Sequence, residues 1–339
     1  MAVTMAEITK LRNLTSAGLM DCKKALAETD GDIEAAVEIL RKKGQAVAAK
    51  REDRQAAEGC VLSKNEGNYA AVVALNCETD FVAKNAGFVA LTTKILDAAV
   101  ANKVKSLDEL KAIQLDGRTI ADLIVEEVGK TGEKMEIGAF EYIEAPSTTS
   151  YNHQGNKLAT ICGFNLEGVD YQVGRDVAMQ VASMNPVAVD RNAVPDSIIE
   201  SEKAVAVEKT KQEQVQKAVN AALSKAGINP AHVDSEAHIE SNMSKGWITP
   251  EQAEQARKII AEVSEQKAAN LPEQMIENLV KGRINKYYKE NCLVEQEFIK
   301  DGNLTVGQYY PDIIFLAIGS RPFSRAIVAR VRFLGLKGA

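Results

Sequence analysis

Cys60-Val61-Leu62-Ser63-Lys64-Asn65-Glu66-Gly67-Asn68-Tyr69-Ala70-Ala71-Val72-Val73-Ala74-Leu75 reads as two apolar runs joined by a polar turn with a glycine at its centre. That pattern predicts a β-hairpin. Working outward, Phe88, Leu91, Ile95 and Ala99 recur at helical spacing, as do Ile120, Leu123 and Ile124, and a strand is predicted from Met135 to Ile143. The order is therefore strands, helices, strand. A weaker copy follows: Gly155-Asn156-Lys157-Leu158-Ala159-Thr160-Ile161-Cys162 repeats Gly67-Asn68-Tyr69-Ala70-Ala71-Val72-Val73-Ala74, and Val173, Val177 and Val181 predict a helix after it. The core reads as a duplicated α+β unit.

Residues 1–50 read as a compact helical domain. Gly18, Gly31 and Gly44 punctuate it, and Asp30 is placed to cap a helix carrying Ile33, Ala36, Val37 and Leu40. With Leu11, Leu14, Ala25 and Leu26 there is apolar surface for one three-helix core, like that of ubiquitin-associated domains. Lys42 to Arg54 reads as a linker. Between 198 and 290 the composition turns to Lys, Glu, Gln and Ala, with Val215, Val219 and Leu223 in one half and Ile259, Ile260, Val263, Met275 and Leu279 in the other. Two long antiparallel helices satisfy this pattern. Gly227-Ile228-Asn229-Pro230 ends the first, Thr249-Pro250-Glu251 opens the second with a cap and a first-turn proline, and the segment up to Trp247 is a long tip. The expected fold class is α+β: a three-helix domain (1–50), core subdomains (57–146, then 147–197 with 291–339) and an inserted antiparallel coiled-coil hairpin (198–290).

At 339 residues, 45% of them hydrophobic and 26% charged, the chain has the material for a large core and several domains. A net charge of -6 lacks the electrostatic footprint of a protein held mainly to nucleic-acid phosphates, so direct nucleic-acid binding is not expected. No apolar run approaches the roughly 20 residues that span a bilayer, and the first residues show no cationic segment followed by an apolar one. The cytoplasm is the expected location. The five cysteines, Cys22, Cys60, Cys77, Cys162 and Cys292, are widely spaced and form no C-x-x-C pair, which fits reduced packing residues and not a metal site.

Leu11-Arg12-Asn13-Leu14-Thr15-Ser16-Ala17-Gly18-Leu19-Met20-Asp21-Cys22-Lys23-Lys24-Ala25-Leu26 resembles the amino-terminal signature of bacterial elongation factor Ts. Leu75-Asn76-Cys77-Glu78-Thr79-Asp80-Phe81-Val82-Ala83-Lys84 resembles the second signature of the same family, placed directly after the predicted strand. The resemblance continues through Tyr151-Asn152-His153, Gly282-Arg283-Ile284, Gln296-Glu297-Phe298 and Thr305-Val306-Gly307-Gln308, to about residue 310. It implies a partner, elongation factor Tu, from which GDP is expelled so that GTP can enter. It implies no covalent chemistry, no small-molecule substrate and no cofactor of the chain's own, since GDP, GTP and Mg²⁺ belong to the partner.

The resemblance also implies roles. Phe81 wedges between two helices of the partner and shifts the loop that holds Mg²⁺ and phosphate, and Asp80, between Thr79 and Val82, holds the wedge by accepting hydrogen bonds. Leu19, Met20 and Lys23, with Arg12 beside them, anchor the helical domain, Val128 adds apolar contact with the same partner domain, and His153 touches another. Taken without the family, Phe81 reads as a core residue and Asp80 as a helix cap. His153 reads equally as a turn residue beside Gly155.

Other features carry less. Gly129-Lys130-Thr131 lacks the earlier glycine of a phosphate loop, because Ile124 stands there. His232 and His238, six apart, do not share a helix face, and Trp247 reads as local packing. One rival reading is a module for ubiquitin-like partners, which leaves Thr79-Asp80-Phe81-Val82 without a purpose. Another is an enzyme with Cys22 or Cys77 as nucleophile, which needs a base among only three histidines, none adjacent in sequence. Past Gln308 the resemblance fades: Pro311 interrupts the expected helix, Ile313-Ile314-Phe315-Leu316 is apolar, and Arg321, Arg325, Arg330, Arg332 and Lys337 make the tail basic. Val328 to Phe333 reads either as a final strand or as part of an altered ending.

Overall fold

The computed structural model describes residues 3–15, 17–115, 117–311 and the backbone of 315–322. Three helices come first: α1 (Met5–Thr15), α2 (Leu19–Glu28) and α3 (Ile33–Ala49). Their core is Ile8, Leu11, Cys22, Ala25, Leu26 and Ala36. Leu14, expected in this core, is 57% exposed, because the inward stripe of α1 is centred on Ile8 and Leu11 and ends before it. The cap of α3 is Asp32, whose carboxylate accepts from the Ala35 N–H at 3.1 Å, and not Asp30, which adopts φ 50° in the preceding turn. Nor does Gly44 end a helix. It lies inside α3, buried, so half of the expected linker is helical.

The chain then makes β1 (Glu58–Glu66), β2 (Tyr69–Cys77), α4 (Asp80–Ala83), α5 (Ala86–Ala101), α6 (Leu107–Ala112), the two-residue pair β3 (Gln114–Leu115) and β4 (Arg118–Thr119), α7 (Ile120–Thr131) and β5 (Glu136–Glu144). The predicted hairpin forms in register, with Cys60 opposite Leu75 and Glu66 opposite Tyr69. The copy consists of β6 (Ser147–Asn152), β7 (Leu158–Phe164) and α8 (Tyr171–Met184). The predicted α8 is capped by Asp170, which accepts from the N–H groups of Gln172 and Val173.

Almost every residue of β2 is buried, which an isolated half-solvated hairpin would not require. Its period of two resolves the reason. Tyr69, Ala71, Val73, Leu75 and Cys77 face a core with Phe88, Ile95, Ala99, Ile124 and Val128 of α5 and α7, whereas Ala70, Val72 and Ala74 face Ala159 and Ile161 of β7. On the other side of β7, Cys162 and Phe164 pack on Val177, Ala178 and Val181 of α8. The core is thus layered helix, sheet, sheet, helix. Gly163 sits where the sheets meet: a Cβ there would stand 2.6 Å from Ile143 Cγ2 and 2.9 Å from the Ala145 methyl.

Residues Val194–Glu290 form a second compact unit. It contains α9 (Asp196–Lys225), α10 (Glu236–Ser244), α11 (Pro250–Ala269) and α12 (Glu273–Asn291). Val219 and Leu223 of α9 pack with Ala253 and Ala256 of α11, and Ala206 packs with Val280 and Ile284 of α12. The reversed order of these pairs makes the helices antiparallel. Where one long returning helix was expected there are two, since Pro272 has no N–H to continue the ladder and the break falls at 270–272. Thr249 and Gln252 form the expected capping box. The tip is folded around Ile228, Val233, Ile239 and Ile248, and Trp247, 61% exposed, has its ring centroid 5.5 Å from that of His232.

The chain finishes the first unit with β8 (Glu297–Phe298), β9 (Asp301–Thr305), α13 (Val306–Tyr309) and β10 (Phe315–Pro322). β10 pairs with β7, so the strand orders β1-β2-β5 and β6-β7-β10 match as sequential copies, both fully antiparallel. The expected strand from Val328 to Phe333 lies outside the described residues. Among the described residues, no helix is long and apolar enough to cross a membrane.

Candidate partner-docking site

β2 ends at Cys77, and the chain must turn away from a fully buried strand without leaving its backbone groups unpaired. Thr79 begins the turn. Its extended backbone and its Oγ1, which accepts from the Val82 N–H at 3.4 Å, cap the four-residue helix α4. Ala83 faces the core at 5% exposure and Val82 packs beside it, which leaves the intervening face of the turn to Phe81. At 84% exposure Phe81 is the most exposed large apolar side chain among the described residues. Asp80 accepts from Lys84 Nζ at 2.6 Å across one turn, and that bond holds its carboxyl below the usual carboxylate range. Thr79 is therefore the cap, and Asp80 braces the turn from its solvent side.

Two carboxylates anchor this turn from below. Glu133, just past Gly132 at the left-handed end of α7 (φ 73°), accepts from the Glu78 N–H at 3.1 Å, the Thr79 N–H at 3.0 Å and the Thr79 hydroxyl at 2.6 Å. Glu78 accepts in return from the Lys134 N–H at 2.6 Å, and from Arg51 at 2.8 Å and Arg54 at 3.3 Å. Partial burial pushes the Glu78 carboxyl up, but the Lys134 N–H and the two guanidinium groups outweigh it, and the net displacement is downward. Nothing in the sequence pairs Glu133 with Thr79, 54 residues away, and both it and the two arginines escape a reading by local spacing.

The helical domain carries the other expected contacts. Leu19 and Met20, 41% and 69% exposed, stand at the first turn of α2 while Cys22, Ala25 and Leu26 turn inward, and Arg12 and Lys23 are exposed. Leu14 and Met5, also exposed, add apolar area that the sequence reading did not assign to the surface. His153 lies exposed in the β6–β7 turn, with Nδ1 2.9 Å from the Tyr151 hydroxyl. Val128 is a correction. It is 2% exposed, because Ile120, Ile124 and Val128 form the inward stripe of α7 at intervals of four, so it supports the core and offers no surface to a partner.

The thiols offer no nucleophile. Cys22 and Cys77 are fully buried, and burial pushes the Cys77 thiol up to about 12. Among the described residues, no group of three or more His, Cys, Asp and Glu side chains could hold a metal ion.

The class that the fold and this turn define is a layered α+β protein that presents an aromatic ring to solvent on a braced, one-turn helix. Comparison with known proteins makes the class specific. The family model described as elongation factor TS matches residues 78–225 and 213–313. Elongation factor Ts of Parabacteroides distasonis is 60% identical over 314 residues, covering 92% of this chain and 95% of the relative. Elongation factor Ts of Bacteroides thetaiotaomicron is 60% identical over 307 residues (90% and 93%), and that of Azobacteroides pseudotrichonymphae 40% identical over 309 (91% and 92%). The chain is a translation elongation factor. It belongs to the elongation factor Ts family.

Proposed function

We propose that this chain is a guanine-nucleotide exchange factor that binds elongation factor Tu in the cytoplasm and promotes release of GDP by displacing the region that holds magnesium and phosphate. Exchange is a linkage problem: a partner that binds the empty G protein more tightly than the nucleotide-bound form must weaken nucleotide binding by the same factor. The observation that carries the reading is Phe81, whose ring is left in water on a turn that is capped, braced and anchored. Burying such a ring in a partner is worth about 1.5–3 kcal/mol, roughly ten- to 150-fold in an equilibrium constant. A wedge that is buried only when the magnesium pocket is open directs that free energy into nucleotide release.

No group of the chain is asked to make or break a bond, so the proposed activity is non-covalent. Leu19, Met20, Arg12 and Lys23 supply grip on the same partner, and His153 a second point of contact. Binding is tested by mixing the purified chain with nucleotide-free elongation factor Tu and measuring the complex by size-exclusion chromatography with light scattering. A stable complex that added GDP weakens is the expected result. Absence of a complex under nucleotide-free conditions contradicts the proposal.

A further inference from the structure

We infer that Glu133 is a positioning residue for nucleotide exchange: it holds the Thr79–Ala83 turn in the orientation in which Phe81 enters the partner. The inference rests on the exchange reading above. A four-residue helix does not hold itself together, since nucleation costs more than so few hydrogen bonds return. The stability of α4 must come from outside it. Glu133 supplies three acceptor contacts at its entrance, two to consecutive backbone N–H groups and one to the capping hydroxyl.

The clamp is reciprocal. The Glu133 side chain binds the backbone at 78 and 79, and the Glu78 side chain binds the backbone at 134. Arg51 and Arg54 join through Glu78, and Lys134 Nζ donates to the Glu52 carbonyl at 2.9 Å, so the segment after α3 is tied to the same point. Through these contacts the Phe81 turn is fixed to the exit of α7 and to the segment that leads from the helical domain. A wedge held in this way loses little conformational freedom when it docks, whereas a loose one must be ordered in the transition state of release.

The test measures release of fluorescent GDP from elongation factor Tu over a range of concentrations of the full-length chain. The Glu133→Ala variant is expected to lower the maximal release rate about five- to tenfold while the half-saturating concentration stays within about twofold. Glu133→Gln is expected to recover most of the rate, because its amide oxygen accepts from both N–H groups and its NH₂ donates to Thr79 Oγ1. The Glu133→Ala, Phe81→Ala double variant is expected to be no slower than Phe81→Ala alone, since Glu133 acts through that ring. Wild-type rates from Glu133→Ala beside a slow Phe81→Ala overturn the inference and leave the exchange reading standing. Multiplying losses in the double variant also overturn it, by placing the action of Glu133 elsewhere. Wild-type rates from Phe81→Ala count against the exchange reading itself. If the alanine variant does not fold, Glu133→Asp, one methylene shorter, carries the test: a lowered maximal rate supports the inference and a wild-type rate overturns it.

Discussion

Gly44 of α3 and Gly129 of α7 meet backbone to backbone: a Cβ built on Gly129 would stand 2.9 Å from the Cα of Gly44, and one on Gly44 would stand 3.2 Å from the Val125 carbonyl oxygen. The helical domain rests on the core through this pair. Gly129→Ala gains helix propensity, up to about 1 kcal/mol, but forces apart two backbones that cannot yield as a side chain can, at about 1–3 kcal/mol. A net loss of stability by urea denaturation is the expected outcome. Gly282→Ala is the matched control, because nothing lies within 4 Å of its Cβ, and it is expected to stabilise. Equal effects from the two would contradict the close approach.

Glu78 makes a pH-dependent contribution whose sign is fixed by its lowered pKa. A carboxyl with a folded pKa below its unfolded value stabilises the fold above the unfolded value and loses that effect as pH falls through the folded one. With an ordinary value of 4.5, the window lies below about pH 4.5. The melting temperature of Glu78→Gln is therefore expected to fall below that of the wild type at pH 7, and the gap to close as the pH falls below about 4.5. Differential scanning calorimetry across that range checks it, and a gap independent of pH would contradict the preference of the Lys134 N–H, Arg51 and Arg54 for the charged carboxylate.

Met20 projects into solvent at 69% exposure from a helix whose core residues point the other way. Met20→Asp is expected to change stability by no more than about 0.5 kcal/mol, as surface substitutions do, and to weaken binding to elongation factor Tu by at least about tenfold. Isothermal titration calorimetry beside thermal melting separates the two effects. Full affinity from a folded variant would remove the helical domain from the proposed interface.

The hairpin and its copy were legible because Tyr69 to Leu75 is a short, continuous apolar run and the turn at Gly67 is marked by residue type. Gly44 was not, since a glycine that stops a helix and one that admits another helix look alike until the second helix is known. Asp30 and Asp32 are both good caps in isolation, and the left-handed Asp30-Gly31 pair decides between them. The break at Pro272 and the inward stripe Ile120, Ile124, Val128 both follow from local rules, since a proline interrupts the helical ladder and intervals of four mark one helix face. Within the site, Thr79 to Val82 was recognisable as a motif, but its anchoring by Glu133 depends on where α7 ends against β2, a tertiary fact that no spacing encodes.

The proposed mechanism places the displacement of the partner's magnesium pocket in one ring, and stopped-flow release of fluorescent GDP from elongation factor Tu reads it most directly. With saturating wild-type chain, Phe81→Ala and Asp80→Ala compared side by side, Phe81→Ala is expected to slow release by at least about tenfold, equivalent to about 1.4 kcal/mol of differential stabilisation, with its fold intact. A wild-type release rate from Phe81→Ala would contradict the account, whatever Asp80→Ala does.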